Sequence, residues 1–181
     1  MRILHMMAGA KNGDSEAIML DSVLALAEAG VAQHVVTRDD DAMRLRALNA
    51  ASIPYTIADF DKFVRAPTAA RLHAVARGFE PDVLHYWLAR AAAFAEPKWR
   101  EISVGWHAGA HHLEHFKNCA WRAVATPQLS ERLIADGIAE NRVAILAPYE
   151  PKRVSKAAFV RSAMTLYERV RANAKTQARE A

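Results

Sequence analysis

The 181-residue sequence contains a single cysteine, Cys119, which excludes an internal disulfide and makes a reducing, cytoplasmic location the expectation. Glycine and proline are sparse, seven of each, which excludes a collagen-like or linker-dominated chain. Uninterrupted apolar runs are missing too. The most apolar stretches, 23–36 and 89–95, are broken by Glu28, Gln33, His34 and Arg90, short of the roughly 18 residues a spanning helix needs. The apolar opening, residues 1–10, is brief and reads as a strand rather than a signal peptide. What is present is 52% hydrophobic and 24% charged residues, the balance of a globular protein with a core, at a length that fits one domain.

The net charge of +4 is unevenly placed. Residues 151–181 hold eight basic and two acidic side chains, so this tail carries +6 and the first 150 residues carry −2. The basic balance belongs to the tail alone, and no nucleic-acid partner is expected.

Strand and helix signals alternate along the body. Short apolar runs at 2–7, 32–37, 55–57, 82–85, 102–106, 120–125 and 142–146 read as strands. Helical patterns lie between them, the first capped by Asp14 or Ser15 and stopped by Gly30, others at 42–51, 67–77, 89–95 and 127–136. Gly78 closes the helix that Pro67 opens. This alternation predicts a single Rossmann-like α/β/α domain over 1–149, with a mostly parallel sheet of about seven strands covered on both faces. Residues 150–155 read as a linker. Residues 156–181 form a long amphipathic helix, with Phe159, Ala163, Leu166, Tyr167, Val170 and Ala174 on the stripe that packs back on the domain.

In such sheets ligands sit outside the carboxyl ends of the strands, which draws attention to the loops after Met7, His85 and Trp106. The first loop holds Gly9, Gly13 and Asp14, and the helix that follows begins with Glu16 nearby. Glycines there let a ligand approach the backbone, but the spacing is neither G-x-G-x-x-G nor a P-loop, and no cofactor is expected. His107 follows a strand, where an imidazole can exchange a proton near neutral pH. His85 and Trp87 at a strand mouth suit hydrogen bonding and stacking against a sugar or base. His107, His111, His112 and His115 cluster with Glu114. If 109–117 is α-helical, His111 and His115 share a face at i, i+4, a pair that takes adventitious nickel or zinc; no resident metal is expected.

The order of these pieces resembles the N-terminal domain of GT-B glycosyltransferases, particularly the family 4 retaining enzymes. The resemblance covers roughly residues 1–149. It is carried by the strand RILHMM with its glycine loop and Glu16, then Pro81-Asp82-Val83-Leu84-His85 and Val104-Gly105-Trp106-His107. Val124-Ala125-Thr126-Pro127, Leu129-Ser130-Glu131-Arg132-Leu133 and Asn141-Arg142-Val143-Ala144-Ile145-Leu146 follow in the family's order.

The resemblance implies a fold of two Rossmann-like domains, an acceptor-side first and a sugar-nucleotide-binding second. It implies His107 beside the transferred sugar, Gly9, Gly13 and Glu16 beside the donor phosphates and acceptor, and His85 and Trp87 along the acceptor cleft; Asp14, in the same loop, is kept as a candidate substrate contact although it would oppose an anion. No second set of βα units follows Leu146, and residues 156–178 resemble the family's last helix, which crosses back onto the first domain. The implied chain is therefore a half-domain with its donor domain deleted, and the abrupt junction at 148–155 points to an engineered deletion. The sequence departs from the family at Gly13-Asp14, where two glycines are usual, and at Ala108-Gly109-Ala110, where more glycine is usual. Little or no transfer is expected from this chain alone, with a sugar nucleotide or sugar acceptor as its ligand. Two other readings stand beside it: a small-ligand binding module of the Rossmann-like class, and an interaction protein whose basic helix meets an anionic membrane. A homodimer over the exposed cleft face is a further expectation.

Overall fold

A computed structural model of the protein describes residues 1–9, 14–60, 65–109, 112–147 and 154–180. Seven strands form one parallel sheet in the order β3-β2-β1-β4-β5-β6-β7. They are β1 (Arg2–Met7), β2 (Ala32–Thr37), β3 (Tyr55–Ile57), β4 (Val83–Trp87), β5 (Ser103–His107), β6 (Trp121–Val124) and β7 (Val143–Ile145). The connecting helices are α1 (Asp14–Glu28), α2 (Ala42–Ala50), α3 (Arg65–Phe79), α4 (Leu88–Ala92) and α5 (Pro127–Ala135), and the chain closes with α6 (Lys156–Glu180). The alternation of apolar runs read from the sequence thus becomes a three-layer α/β/α domain.

The central strands are apolar on both faces because helices cover both. Ile3, Met7, Val83, Trp87, Val104 and Trp106 point to the layer of α1 and α6, where Met19, Val23, Leu26, Phe159, Leu166 and Tyr167 meet them. Leu4, Met6, Leu84 and Tyr86 point the other way, to Leu72 and Ala76 of α3 and Ala91 and Ala92 of α4. A smaller cluster of Val124, Val143 and Leu133 seats α5 against the β6–β7 edge.

Local chemistry sets the element ends. Asp41 caps α2, its carboxylate accepting from the amides of Met43 at 2.9 Å and Arg44 at 3.2 Å. Thr126 caps α5 ahead of Pro127, whose missing N–H costs nothing in a first turn. Gly30 and Gly137 take positive φ just past α1 and α5, the conformation that a helix stop favours. Gly78 does not play that part in α3: the helix runs on to Phe79, and Glu80 takes the positive φ of 49° instead. Two strands also run further than their sequence patterns suggest, β4 to Trp87 and β5 to His107.

The helix α6 is 25 residues long, roughly 37 Å at 1.5 Å per residue. Phe159, Ala163, Leu166, Tyr167 and Val170 are its buried stripe, as its sequence period demands. Polar ties fasten its first turn and its middle: Lys156 pairs with Glu28 of α1, and Arg171 pairs with Asp82 at 3.1 Å, ahead of β4. Arg169 donates to the carbonyl of Asn141 at 2.6 Å. The described helix is therefore a packed part of the domain.

Candidate functional site

The order in which the chain adds strands reverses between β1 and β4: β1 is followed outward by β2 and β3 on one side, and β4 by β5 to β7 on the other, all strands staying parallel. A crevice outside the carboxyl ends of the strands at this switch point is the usual ligand seat of an open parallel sheet. Here β1 ends at Met7 and passes to Ala8 and Gly9, and β4 ends at Trp87 and passes to Leu88. Arg90 of α4 spans the crevice and donates to the carbonyl of Ala8 at 3.4 Å. Nothing local singles out Arg90, because only the β1–β4 pairing brings it to the first loop.

Gly9 and Glu16 meet there. A Cβ on Gly9 would fall 2.1 Å from Cγ of Glu16, so the glutamate side chain lies directly over the glycine backbone. Any side chain at position 9 would push Glu16 away. Asp14 opens α1. Gly13 lies outside the described residues, and so do 10–12 of the same loop.

His107 closes β5 one strand further along. It is 1% exposed and stacks on Phe116, with ring centroids 3.7 Å apart and planes 25° off parallel. The stack depends on Gly105, two residues earlier on the same face. A Cβ there would stand 2.4 Å from the Phe116 ring, so only glycine leaves the ring its place. Neither nitrogen of His107 has a hydrogen-bond partner among the described residues. Burial, and after it the Arg122 guanidinium, lowers its pKa to about 3. The ring is neutral at physiological pH. Its nitrogens offer one donor and one acceptor to whatever enters, whereas proton exchange near neutrality would need a more hydrated imidazole.

A cavity of about 190 Å³ opens on this ring, lined by Leu88, Ala89, Trp106, Ala108, Gly109 and His112 besides His107 and Phe116. Leu88 and His112 both hold left-handed backbone, at φ of 67° and 58°. Such strain costs a non-glycine residue roughly 1–3 kcal/mol and gathers at functional sites. A larger hollow, about 710 Å³, lies at the β7 edge between α5 and α6, away from the switch point. Its lining carries no histidine, and its open shape at a sheet edge makes it a surface groove rather than a built site.

His85 and Trp87 lie elsewhere than the sequence suggests. Because β4 continues past His85, both residues alternate onto the inner face and sit under α6, fully enclosed. Trp87 Nε1 donates to His5 Nδ1 at 3.1 Å, which leaves Nε2 of His5 to donate to Gln33 Oε1 at 2.9 Å. Gln33 in turn donates to the carbonyl of Val23 at 3.1 Å. His85 shares a 2.7 Å hydrogen bond with the Tyr167 hydroxyl of α6 and stacks on Trp87. They form a polar thread between sheet and helices, not a wall of an open cleft.

The described part of the histidine-rich stretch after β5 is not α-helical. It forms a 3-10 turn over Leu113–Phe116, entered from His112. His111 lies outside the described residues. A turn of three residues brings i and i+3 together, so His115 stacks over His112, with centroids 5.5 Å apart. The i, i+4 pairing read from the sequence requires the wider α turn.

No protein-family model matches the chain. A lipopolysaccharide core biosynthesis glycosyltransferase, LpsD of Rhizobium meliloti (strain 1021), is 27% identical over 135 residues. That match covers 74% of this chain and 39% of the relative. Among solved structures, the apo form of the lipopolysaccharide outer core galactosyltransferase WaaB superposes with a TM-score of 0.64 at 13% identity. It is matched over 81% of this chain and 45% of its own. Alr3699/HepE of Anabaena, in complex with UDP, gives 0.61 at 15% identity, over 83% of this chain and 44% of its own. The fold is a Rossmann-like half of the GT-B architecture. The chain spans about two fifths of the curated relative and under half of each of these solved structures.

Proposed function

We propose that this chain is the acceptor-side domain of a GT-B glycosyltransferase of the family 4 retaining kind, residues 1–149, with α6 as the returning helix. Residues 150–155 join the two directly, where the family places a donor-binding domain; an engineered deletion of that domain accounts for the junction. The observation that carries the reading is His107: a neutral, buried imidazole at a strand end, with both nitrogens unpartnered among the described residues and a cavity in front of it. An unpaired buried nitrogen costs about 1–3 kcal/mol, and a sugar hydroxyl supplies the missing partner. The cavity is smaller than the roughly 300–1,000 Å³ of a whole drug-sized site, so it takes one sugar ring and leaves a nucleotide outside.

In this reading His107 orients the sugar by hydrogen bonding, Glu16 over Gly9 faces the acceptor side, and Arg90 supplies a cation at the crevice. Gly13 and Asp14 complete the loop beside the donor phosphates. Transfer needs a departing diphosphate stabilised by aimed positive charge, the largest single contribution in such sites. Arg90 alone is a poor substitute for a second domain, so the chain binds sugar nucleotides weakly and turns them over little or not at all.

Amide NMR with titration of uridine- and guanosine-diphosphate sugars tests this. Peaks of residues 9, 16, 107 and 109 are expected to shift. His107→Phe keeps the stack on Phe116 but removes both nitrogens, and should weaken binding about tenfold, the worth of one hydrogen bond near 1.4 kcal/mol. Shifts absent with every sugar nucleotide, or unaltered in His107→Phe, would overturn the assignment. Robust transfer to an acceptor would overturn the half-domain reading.

A further inference from the structure

We infer that His112, Glu114 and His115 form a binding site for a divalent cation of the zinc class at the rim of the His107 cavity. The inference does not depend on the sugar-nucleotide reading. The three side chains each present one ligand atom, and these atoms all lie within 4.8 Å of one another. Oε1 of Glu114 stands 3.5 Å from Nδ1 of His112 and 3.7 Å from Nε2 of His115. Tetrahedral zinc with bonds of about 2.0–2.1 Å requires ligand atoms about 3.3 Å apart along each edge. Two of the three edges are thus within a few tenths of an ångström of the bound geometry before any ion arrives.

The backbone explains how neighbours in sequence converge this way. The 3-10 turn eclipses positions i and i+3, and the left-handed φ of 58° at His112 lets its ring lie nearly parallel to that of His115. Glu114, between them in sequence, reaches the gap with its carboxylate. The donor set is two imidazole nitrogens and one carboxylate oxygen, which suits zinc, cobalt(II) and nickel(II) and disfavours magnesium and calcium. All three side chains are at least 42% exposed, so an ion enters freely and keeps a position open to water. His112 also lines the cavity in front of His107, so the ion would sit beside that opening.

Calorimetry with zinc chloride, and visible absorption with cobalt(II), test the site on the full chain. One equivalent of zinc should bind with Kd of about 10 μM or tighter. Cobalt(II) should give the intense visible bands of a four-coordinate complex rather than the weak ones of the hydrated ion. His112→Ala, His115→Ala and Glu114→Gln are surface changes, and each should weaken binding at least tenfold with unchanged circular dichroism. Magnesium should not compete. Binding no tighter than about 1 mM, or affinity that survives in the His112→Ala/His115→Ala double variant, would overturn the site; the latter result would place the ion on other histidines.

Discussion

At the scale of the residue, the molecule turns on a few small side chains that let large ones touch. Gly105 is the clearest case, since the Phe116 ring occupies the space a Cβ would need, with Cβ of Cys119 at 3.4 Å behind it. Phe116 is fully buried, so the ring has little freedom to yield. Gly105→Ala gains roughly 0.5–1 kcal/mol from lower backbone entropy in the unfolded chain. Overpacking of this kind costs about 1–3 kcal/mol, and the cost outweighs the gain. Urea unfolding should show a net loss of about 1–2 kcal/mol, and the ring-current shift on the His107 imidazole should shrink as the stack opens. A stability gain would mean that the ring moves without penalty. This glycine stood in the sequence motif Val104-Gly105-Trp106-His107, where periodicity marks the strand but cannot show which distant aromatic ring crosses it. Arg90 was hidden for the same reason: its partner, the Ala8 carbonyl, is 82 residues away.

At the scale of the element, α6 does more than cover a face. Four of its large side chains, Phe159, Leu166, Tyr167 and Val170, are no more than 2% exposed. At about 1.5–3 kcal/mol each their burial contributes roughly 6–12 kcal/mol, comparable with the whole stability of a small domain. Removing residues 156–181 should therefore abolish cooperative unfolding, whereas a purely peripheral helix would leave it intact. A finer probe is Tyr167→Phe, which keeps the packing and strips the hydroxyl from His85. The orphaned imidazole nitrogen should cost about 1–3 kcal/mol, read as a lower urea midpoint at unchanged m-value. The amphipathic stripe of α6 and the strands were legible because each apolar run is bounded by glycine, proline or charge. Strand ends were less so. A two-residue extension of β4 converts His85 from a mouth residue into an interior one; Tyr86 and Trp87 are strand-favouring residues, but no breaker follows Trp87 to mark where the strand stops. The 3-10 turn at Leu113–Phe116 was illegible as well, since four residues cannot distinguish a period of 3.0 from 3.6.

At the scale of the whole molecule, three buried imidazoles make the fold sensitive to acid. His5 is pulled down to about 4 by burial, against a smaller opposing effect of its bond to Gln33. His85 lies well below its ordinary value through burial and the nearness of His5, and His107 falls to about 3. All three are neutral in the native state, and an unfolded histidine takes a proton near pH 6.5. Below that pH the unfolded chain binds protons that the native chain refuses, so stability is complete above about pH 6.5 and declines as pH falls toward the native pKa values. The slope is about 1.4 kcal/mol per pH unit for each such group, so at pH 5 His5 and His107 each cost about 2 kcal/mol, and His85 adds to the loss in the same direction. A loss of that size is a large share of the stability of an ordinary domain. His5 and His85 are joined through Trp87 and Tyr167 to the sheet and α6 alike, so their protonation attacks the thread that fastens α6. Urea midpoints should therefore fall steeply between pH 7 and pH 5, and unfolding at pH 5 should take up protons, about one each at His5 and His107. A midpoint flat over that interval would mean that water reaches these rings in the native state, and that the polar thread beneath α6 is open rather than sealed.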